Sequence, residues 1–516
     1  MTTKTFQTFS FNTAEQFKES FFESSPTITY VFIGNHTPWP NESVPPDILG
    51  SSQQEKSSWD NMYAAKKITG NDLELVVPWS GWATGNVYKQ YDDSLEMQEL
   101  LSANVSAGID PMYIITDDRN VYKCLSNNSG TASTTKPTGD YTSSNGTIST
   151  SDGYIWKYMF NVLPSNRFLA NTEWIPAPTN TGSLGYNVNN FGIIDGQLTT
   201  IVIENSGSNY ITVSSNCNPF VAGQTTLVFA NTKNITSNMY VTGTGIAGGT
   251  YISSVNPAQS SINLSLSTTE SGGGLLANTL IISPRIYIDG DGVGAITQST
   301  INAAGSITSI NLSSFGTGYS RANVIAYANG TNFSARVIVP PKFGHAYNPA
   351  KELNANNVMV RVRVGELDST ENGLIESNTN FRQIGLIRNP YKYGETVSAN
   401  NNTSNTVISQ TTDLTVVSGS VYYKDEFIYQ GNVNNPIFSG YLQSENGNIL
   451  KVTKVKGTPS IGTAIVGGTS ASSRSLVSVK NPEFEPYSGA IIYMENNEKV
   501  ERSDGQSEIL KFVVRF

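Results

Sequence analysis

Histidine and cysteine are nearly absent: the 516-residue chain holds two of each. Cys124 and Cys217 cannot build a disulfide framework, and no CxxC spacing is present for zinc, so reduced thiols are expected. His36 and His345 are the only imidazoles that a metal site or a Ser/His/Asp triad could use. Charge is scarce as well, at 14% of residues against the usual share of about 25%. The formal net charge is −9 and no basic run exists, which argues against a nucleic-acid partner, because phosphate binding draws on clustered Lys and Arg. The N-terminal stretch has no apolar signal core, and nowhere do about 18 apolar residues run together. No membrane insertion and synthesis in a cytosol are the expectations. On that footing the sequons at Asn35-His36-Thr37 and Asn329-Gly330-Thr331 are by-products of an Asn/Ser/Thr-rich chain.

What the chain does have is Ser, Thr, Asn, Gly and Tyr in abundance, with 38% hydrophobic residues. That composition suits many short strands joined by turns, and the length suits about three or four domains. A mainly β protein with few short helices is expected. Thr13 opens a capping-box pattern with Gln16, which predicts a helix over 14–22 with Phe17 and Phe21 on one face. Trp59, Met62 and Tyr63 fall at helical spacing and predict a second helix over 58–67. Between them, the apolar run 28–33 reads as a strand, and Pro38, Pro40, Pro45 and Pro46 forbid regular structure after it. Strands are predicted over 73–78, 112–116, 121–125 and 154–162, with Asp117 to Asn120 as a hairpin loop. The alternation of Tyr154, Trp156, Tyr158 and Phe160 predicts one buried aromatic face. The polar stretch 126–151 reads as a long surface loop.

Near Phe191 the composition shifts. Only ten charged residues lie between Phe191 and Gly344, against 63 in the remaining 362 positions. Within that segment Gly196 to Tyr210 (GQLTTIVIENSGSNY) matches Gly305 to Tyr319 (GSITSINLSSFGTGY), a repeat of Gly, apolar strand, Gly-rich turn and Tyr. Its glycines are expected at positive φ. Ordinary charge density returns after Asn348, with strands over 358–364 and 381–387. A second polar segment, from about Tyr393 to Lys480, carries strands of a small barrel or sandwich. The last stretch, Ser488 to Phe516, reads as two apolar runs joined by a polar connection, a terminal hairpin that completes the core.

Four motifs invite chemistry, and each has a plainer reading. Gly243-Thr-Gly245-Ile-Ala-Gly248 satisfies GxGxxG, but a strand pattern follows it where a dinucleotide site needs a helix. Asp289-Gly-Asp291-Gly resembles half of a calcium loop without the further ligands or the closing Glu. His36 lies in the Pro-rich loop and His345 at a domain boundary, where packing or hydrogen bonding is the expected role. The adjacent acids Asp92/Asp93 and Asp117/Asp118 could pair for glycoside hydrolysis only if both faced one substrate, and neighbours on a strand point to opposite faces. No catalytic, cofactor-binding or metal residue is assigned.

Four stretches together resemble the baseplate wedge subunit, the gene 8 product, of T4-like contractile-tailed bacteriophages. They are Ile28 to Gly50 (ITYVFIGNHTPWPNESVPPDILG), Asp152 to Pro164 (DGYIWKYMFNVLP), Asn380 to Pro390 (NFRQIGLIRNP) and Ser488 to Phe516, with the Tyr122-Lys-Cys124-Leu step alongside. The resemblance implies a myovirus virion protein of the tail baseplate, assembled in the host cytoplasm. It also implies two β-sandwich-like core domains, a homodimer, contacts with other wedge proteins, no cofactor and no catalysis. The chain is longer than the family leads one to expect, which gives the organisation 1–190 core, 191–344 inserted β-rich module, 345–397 core continuation, 398–480 second inserted β module and 481–516 C-terminal core strands. The rival reading is a tail protein whose inserts bind or cleave host glycans. Against it, 191–344 holds no Trp and only five acids.

Overall fold

The computed structural model describes residues 7–23, 27–142, 146–179, 193–270, 279–327, 330–365, 375, 378–396, 407–503 and 507–516. Phe191 and Ser398, expected as module boundaries, and Asn329 of the second sequon lie outside the described residues. The fold is mainly β, with short helices at Gln7–Glu19, Ser52–Asn61, Met97–Leu101 and Pro349–Glu352. Two compact units divide the chain: one is Val77–Ala355, with Met1–Thr8, and the other is Phe9–Val76 with Asn356–Phe516.

In the second unit one sheet runs in the order Val407–Ser409, Met62–Ile68, Thr29–Gly34, Thr379–Arg388, Ala490–Arg502. All ladders in it are antiparallel. All six residues of the Thr29 strand are buried. A strand covered on both faces has no reason to alternate, which is why its sequence is one continuous apolar and aromatic run. On one face Tyr30, Phe32, Met62 and Ile387 pack with Trp59 and Phe484. A second ladder sets Asn357–Gly365 between Leu73–Pro78 and Ser507–Arg515. The Tyr493 and Phe512 rings stack between the two sheets, 5.2 Å apart with planes 13° from parallel.

This geometry corrects the terminal hairpin. The Ala490 strand pairs with the Thr379 strand, and the Ser507 strand pairs with the Asn357 strand, so the chain end crosses from one sheet to the other. Both predicted helices also shift. The first starts earlier, at Gln7, and Thr13 lies inside it with its hydroxyl donating to Phe9 O at 2.9 Å, so it caps nothing. The second ends at Asn61, and Met62–Ile68 continues as a strand paired with Thr29–Gly34. Helical spacing in a short apolar run is ambiguous, and here the neighbouring strand's unpaired backbone decided.

Residues 412–480 form a closed six-stranded barrel in the order Thr412–Val416, Ile449–Gly457, Asn435–Asn446, Phe427–Asn432, Ala464–Gly467, Ser473–Lys480. Leu414, Ile428, Phe438, Leu450, Val452 and Ile465 fill it. Closure removes the unpaired edges that a small sheet would otherwise expose.

In the first unit, Tyr113–Ile115, Asn120–Ser126, Ile155–Asn161 and Thr147–Ser149 form a four-stranded sheet. Asp117 to Asn120 does connect an antiparallel pair. The stretch expected as a bare surface loop contributes the Thr147 strand and the buried Ser133. The Ile155 strand buries Tyr154, Trp156, Tyr158 and Phe160, but also Lys157 and Met159 on the opposite face.

The low-charge segment holds two separate cores. Strands Ile201–Ser208, Arg285–Gly290, Val293–Ile301, Ile307–Thr317, Ala322–Tyr327 and Thr331–Val337 share one. The two copies of the repeat are related by a local twofold. Ile201–Ser208 pairs with Thr331–Val337, and its counterpart Ile307–Thr317 pairs with Val293–Ile301 in the same register, with equivalent bulges next to Glu204 and Ser313; the second ladder slips once more between Thr300 and Ile301. Arg285–Gly290 and Ala322–Tyr327 pair across the axis. The copies also exchange backbone bonds: Tyr319 N donates to Gly196 O at 3.1 Å and Tyr210 N to Gly305 O at 2.9 Å. Gly196 and Gly305 have φ of 63° and 76°, and a Cβ on Gly196 would lie 2.3 Å from Tyr319 N. The second core, with Phe220, Leu227, Phe229, Met239, Leu280 and Ile282, belongs to strands within 213–283, which interrupt the first copy after Tyr210.

Candidate functional site

Where the low-charge module joins the first unit's sheet, its two ends are tied together. Phe343 N donates to Asp195 Oδ1 at 2.6 Å, Thr199 N to Ile338 O at 3.3 Å and Ile338 N to Thr200 O at 2.9 Å. The returning chain turns sharply there, with positive φ at Phe343, Gly344 and Ala346. Such backbone is costly for Phe and Ala and persists only where the surroundings hold it. The turn delivers His345 to a buried group of charges.

That group is built on strands and one short helix. Lys123 and Lys157 are directly opposed in the Asn120 and Ile155 ladder, and both are buried. Like charges facing each other need a counter-ion. Glu352 provides it: it ends the helix Pro349–Glu352, which Asn348 caps by accepting from Lys351 N, and its Oε2 lies 2.5 Å from Lys123 Nζ. Lys123 Nζ also sits 4.6 Å from the Tyr91 ring centroid, and Tyr91 meets the His345 ring edge-on at 5.2 Å. His345 Nδ1 is 3.6 Å from Glu352 Oε2, too long for a hydrogen bond, and both its ring nitrogens and Glu352 Oε1 are buried without partners among the described residues. Beside them Lys157, His345, Gln197, Thr199 and Phe315 line a space of about 40 Å³, room for about three waters.

Burial, then the charge of Lys123, pulls His345 down to about 3, so its ring is neutral over most of the pH range. Burial also lowers Lys157, to about 8. Burial by itself would raise Glu352, but Lys123 and His345 outweigh it and hold the carboxyl below its usual value. A carboxylate with a lysine at hydrogen-bond distance and an imidazole that does not accept a proton near neutrality fixes a fold at a junction. Histidine spacing did not reveal this cluster. The available signal was Lys123 and Lys157 in mid-strand, since a Lys inside an apolar run requires a partner.

The other candidates are separated. His36, in the second unit, is fully buried, with Nδ1 2.5 Å from Asp425 Oδ1 and Nε2 2.7 Å from Thr453 Oγ1. Burial pulls it below its ordinary value against the pull of Asp425. It thereby bonds the Pro-rich loop to the barrel, and Arg382 reinforces that loop through Glu42 at 2.8–2.9 Å and through His36 O at 2.5 Å. Asp291 is exposed and accepts from Ser320 N, Ser320 Oγ and Arg321 N, bonds that hold its carboxyl well below the usual range. Asp289 is exposed in the ladder opposite Asn323. The acids thus close a turn. Gly243 and Gly245 are turn positions with φ of 152° and 78°, and the strand Ile252–Asn256 follows where a dinucleotide site needs a helix. Asp92 is 3.5 Å from Arg336, and Asp117 3.1 Å from Lys136. Cys124 and Cys217 are buried free thiols. Among the described residues no group of three or more His, Cys, Asp or Glu is placed to hold a metal ion, and no helix is long and apolar enough to cross a membrane.

No protein-family model and no curated protein matches the chain. What bears on function is therefore its own sequence and geometry.

Proposed function

We propose that the chain is a structural subunit of the baseplate wedge of a contractile bacteriophage tail. One observation carries the reading. Three of the four stretches that resemble the wedge family, hundreds of residues apart, lie side by side in one sheet as the Thr29, Thr379 and Ala490 strands. They are also bonded through their loops: Trp39 Nε1 donates to Asn497 O at 3.0 Å, and Asn496 Nδ2 to Pro46 O at 2.8 Å. The fourth supplies the Ile155 strand, whose Lys157 faces the buried cluster. Residues that resemble one family and also form one packed layer support a common fold better than scattered surface similarity would.

On this reading the protein works mechanically. As a homodimer it holds neighbouring wedge proteins in one arrangement until host attachment favours another, a rigid-body rearrangement of packed subunits that needs no cofactor and no chemistry. The larger β module, 191–344, poor in charge and rich in Ser, Thr and Asn, is a solvated projection or a contact with another virion protein. The test is antibody labelling of purified phage tails that contain this protein, with sedimentation of the purified chain. Label at the baseplate and a dimer are expected. Label confined to the tube or fibres, or a particle without the chain, overturns the reading, as would release of sugars from host surface glycans by the purified chain.

A further inference from the structure

The second unit contains a pocket of about 370 Å³ between the Gln7–Glu19 helix and the ends of the Thr379, Ala490 and Ser507 strands. Its size lies within the range of about 300–1,000 Å³ typical of small-molecule sites. The walls are mostly apolar: Phe17, Leu386, Ile492, Tyr493, Val514 and Phe516. The rings of Phe17 and Phe516 pack at 5.2 Å, and Phe17 and Phe21 at 5.4 Å edge to face, so one wall is a built aromatic surface. The hydroxyls at its margin are already engaged, Thr13 with Phe9 O and Ser20 with Phe17 O.

Into this apolar space the Thr379 strand places one cation. Arg388 lines the pocket with its Cζ 5.9 Å from the Phe17 ring centroid, and its Nε is buried without a hydrogen-bond partner among the described residues. A donor shut away from water and left unpaired is costly, and more so when charged. Three other arginines of this unit are matched by carboxylates: Arg382 with Glu42, Arg474 with Glu445 and Arg502 with Glu508. Arg388 stands apart from these three, in a cavity whose other lining is mostly apolar, with only Thr13, Gln16 and Ser20 polar.

We infer that this pocket binds a small apolar molecule ending in a single anionic group, with its chain against Phe17, Ile492 and Phe516 and its carboxylate or phosphate on the Arg388 guanidinium. The fork of N–H donors matches a planar carboxylate, and a charge-assisted bond in an apolar surround is stronger than a neutral one. The apolar walls select a chain, and Arg388 selects the sign of its head.

Octanoate, octan-1-ol and octylammonium, titrated into the full chain by calorimetry, separate these two contributions. Saturable octanoate binding at least tenfold tighter than octan-1-ol, with octylammonium weakest, is expected. Arg388→Met, which keeps an apolar stem on Phe17, should reduce octanoate to the level of the alcohol. Ile492→Trp, at a residue 39% exposed and therefore tolerant, should block all three by filling the space. Absence of saturable octanoate binding, equal affinity for the alcohol, or an Arg388→Met protein that binds octanoate unchanged would overturn the inference. Circular dichroism of both variants separates loss of binding from loss of fold, and none of these outcomes depends on the role proposed in the tail.

Discussion

At the residue scale the chain's few buried charges are where its stability is most exposed. Lys123→Met should destabilise the first unit by about 3–5 kcal/mol in denaturant titrations, because it strands Glu352 in the interior. Lys123→Met with Glu352→Leu should recover much of that loss, since no uncompensated carboxylate remains. The histidines set a pH response. His345 is depressed to about 3 in the folded protein against about 6.5 unfolded, so the unfolded chain takes up the proton first. The stability that depends on a neutral His345 is complete above about pH 6.5 and is lost as pH falls toward 3, at up to about 1.4 kcal/mol per pH unit. His36 is lowered too and adds in the same direction. Stability of the His345→Phe variant, followed from pH 7 to 4.5, should fall less steeply than that of the parent. An unchanged slope would mean that His345 does not titrate as its surroundings require.

At the element scale the paired repeat and the terminal strands make separate demands. Gly196 and Gly305 both need positive φ, and each approaches the other copy's backbone. Ala at either position should destabilise the module by more than about 1 kcal/mol, with the larger loss at Gly196, where the Cβ would lie 2.3 Å from Tyr319 N, than at Gly305, where the nearest atoms are 3.1 Å away. Thermal unfolding of the single variants tests this. The Ser507–Arg515 strand pairs with Asn357–Gly365 along its whole length. Truncation before Ser507 removes that ladder and the buried Phe512 and Val514, side chains contributing about 1.5–3 kcal/mol each, and should leave the second unit unfolded by proteolysis and circular dichroism. How much of these elements was legible in advance depended on local pattern. The Thr29, Asn120 and Ile155 strands announce themselves as β-branched and aromatic runs. The helix that Met62 and Tyr63 were expected to join was not legible, because their spacing suits a helix as well as a strand and only the partner strand decides. The Lys123, Glu352 and His345 cluster was hidden for another reason: its members are up to 229 residues apart in sequence.

At the scale of the whole molecule, interruption is the organising feature. The 213–283 strands interrupt the first copy of a twofold repeat, and that module emerges from the first unit through a stem whose ends are bonded at Asp195 and Phe343. In the uninterrupted copy only Ser320 and Arg321 separate Tyr319 from the Ala322 strand. Replacing residues 211–284 by those two residues should therefore leave a folded six-stranded module, detectable as retained cooperative melting. Loss of soluble protein would show that the two cores depend on each other.

Composition and periodicity by themselves determined the mainly β class, the sparse charge of 191–344, the Gly/Tyr repeat and the poverty of metal-ligating side chains, since each is carried by neighbouring residues or by counts. Tertiary structure alone decided that the last two strands enter different sheets, that the repeat's glycines meet the opposite copy's tyrosines, and that Arg388 lines a mostly apolar pocket with its Nε unpaired among the described residues. Those facts depend on which distant backbones find one another. A strand's own sequence specifies the faces it must bury, but its partner is chosen by the competition of all the other strands for the same hydrogen bonds.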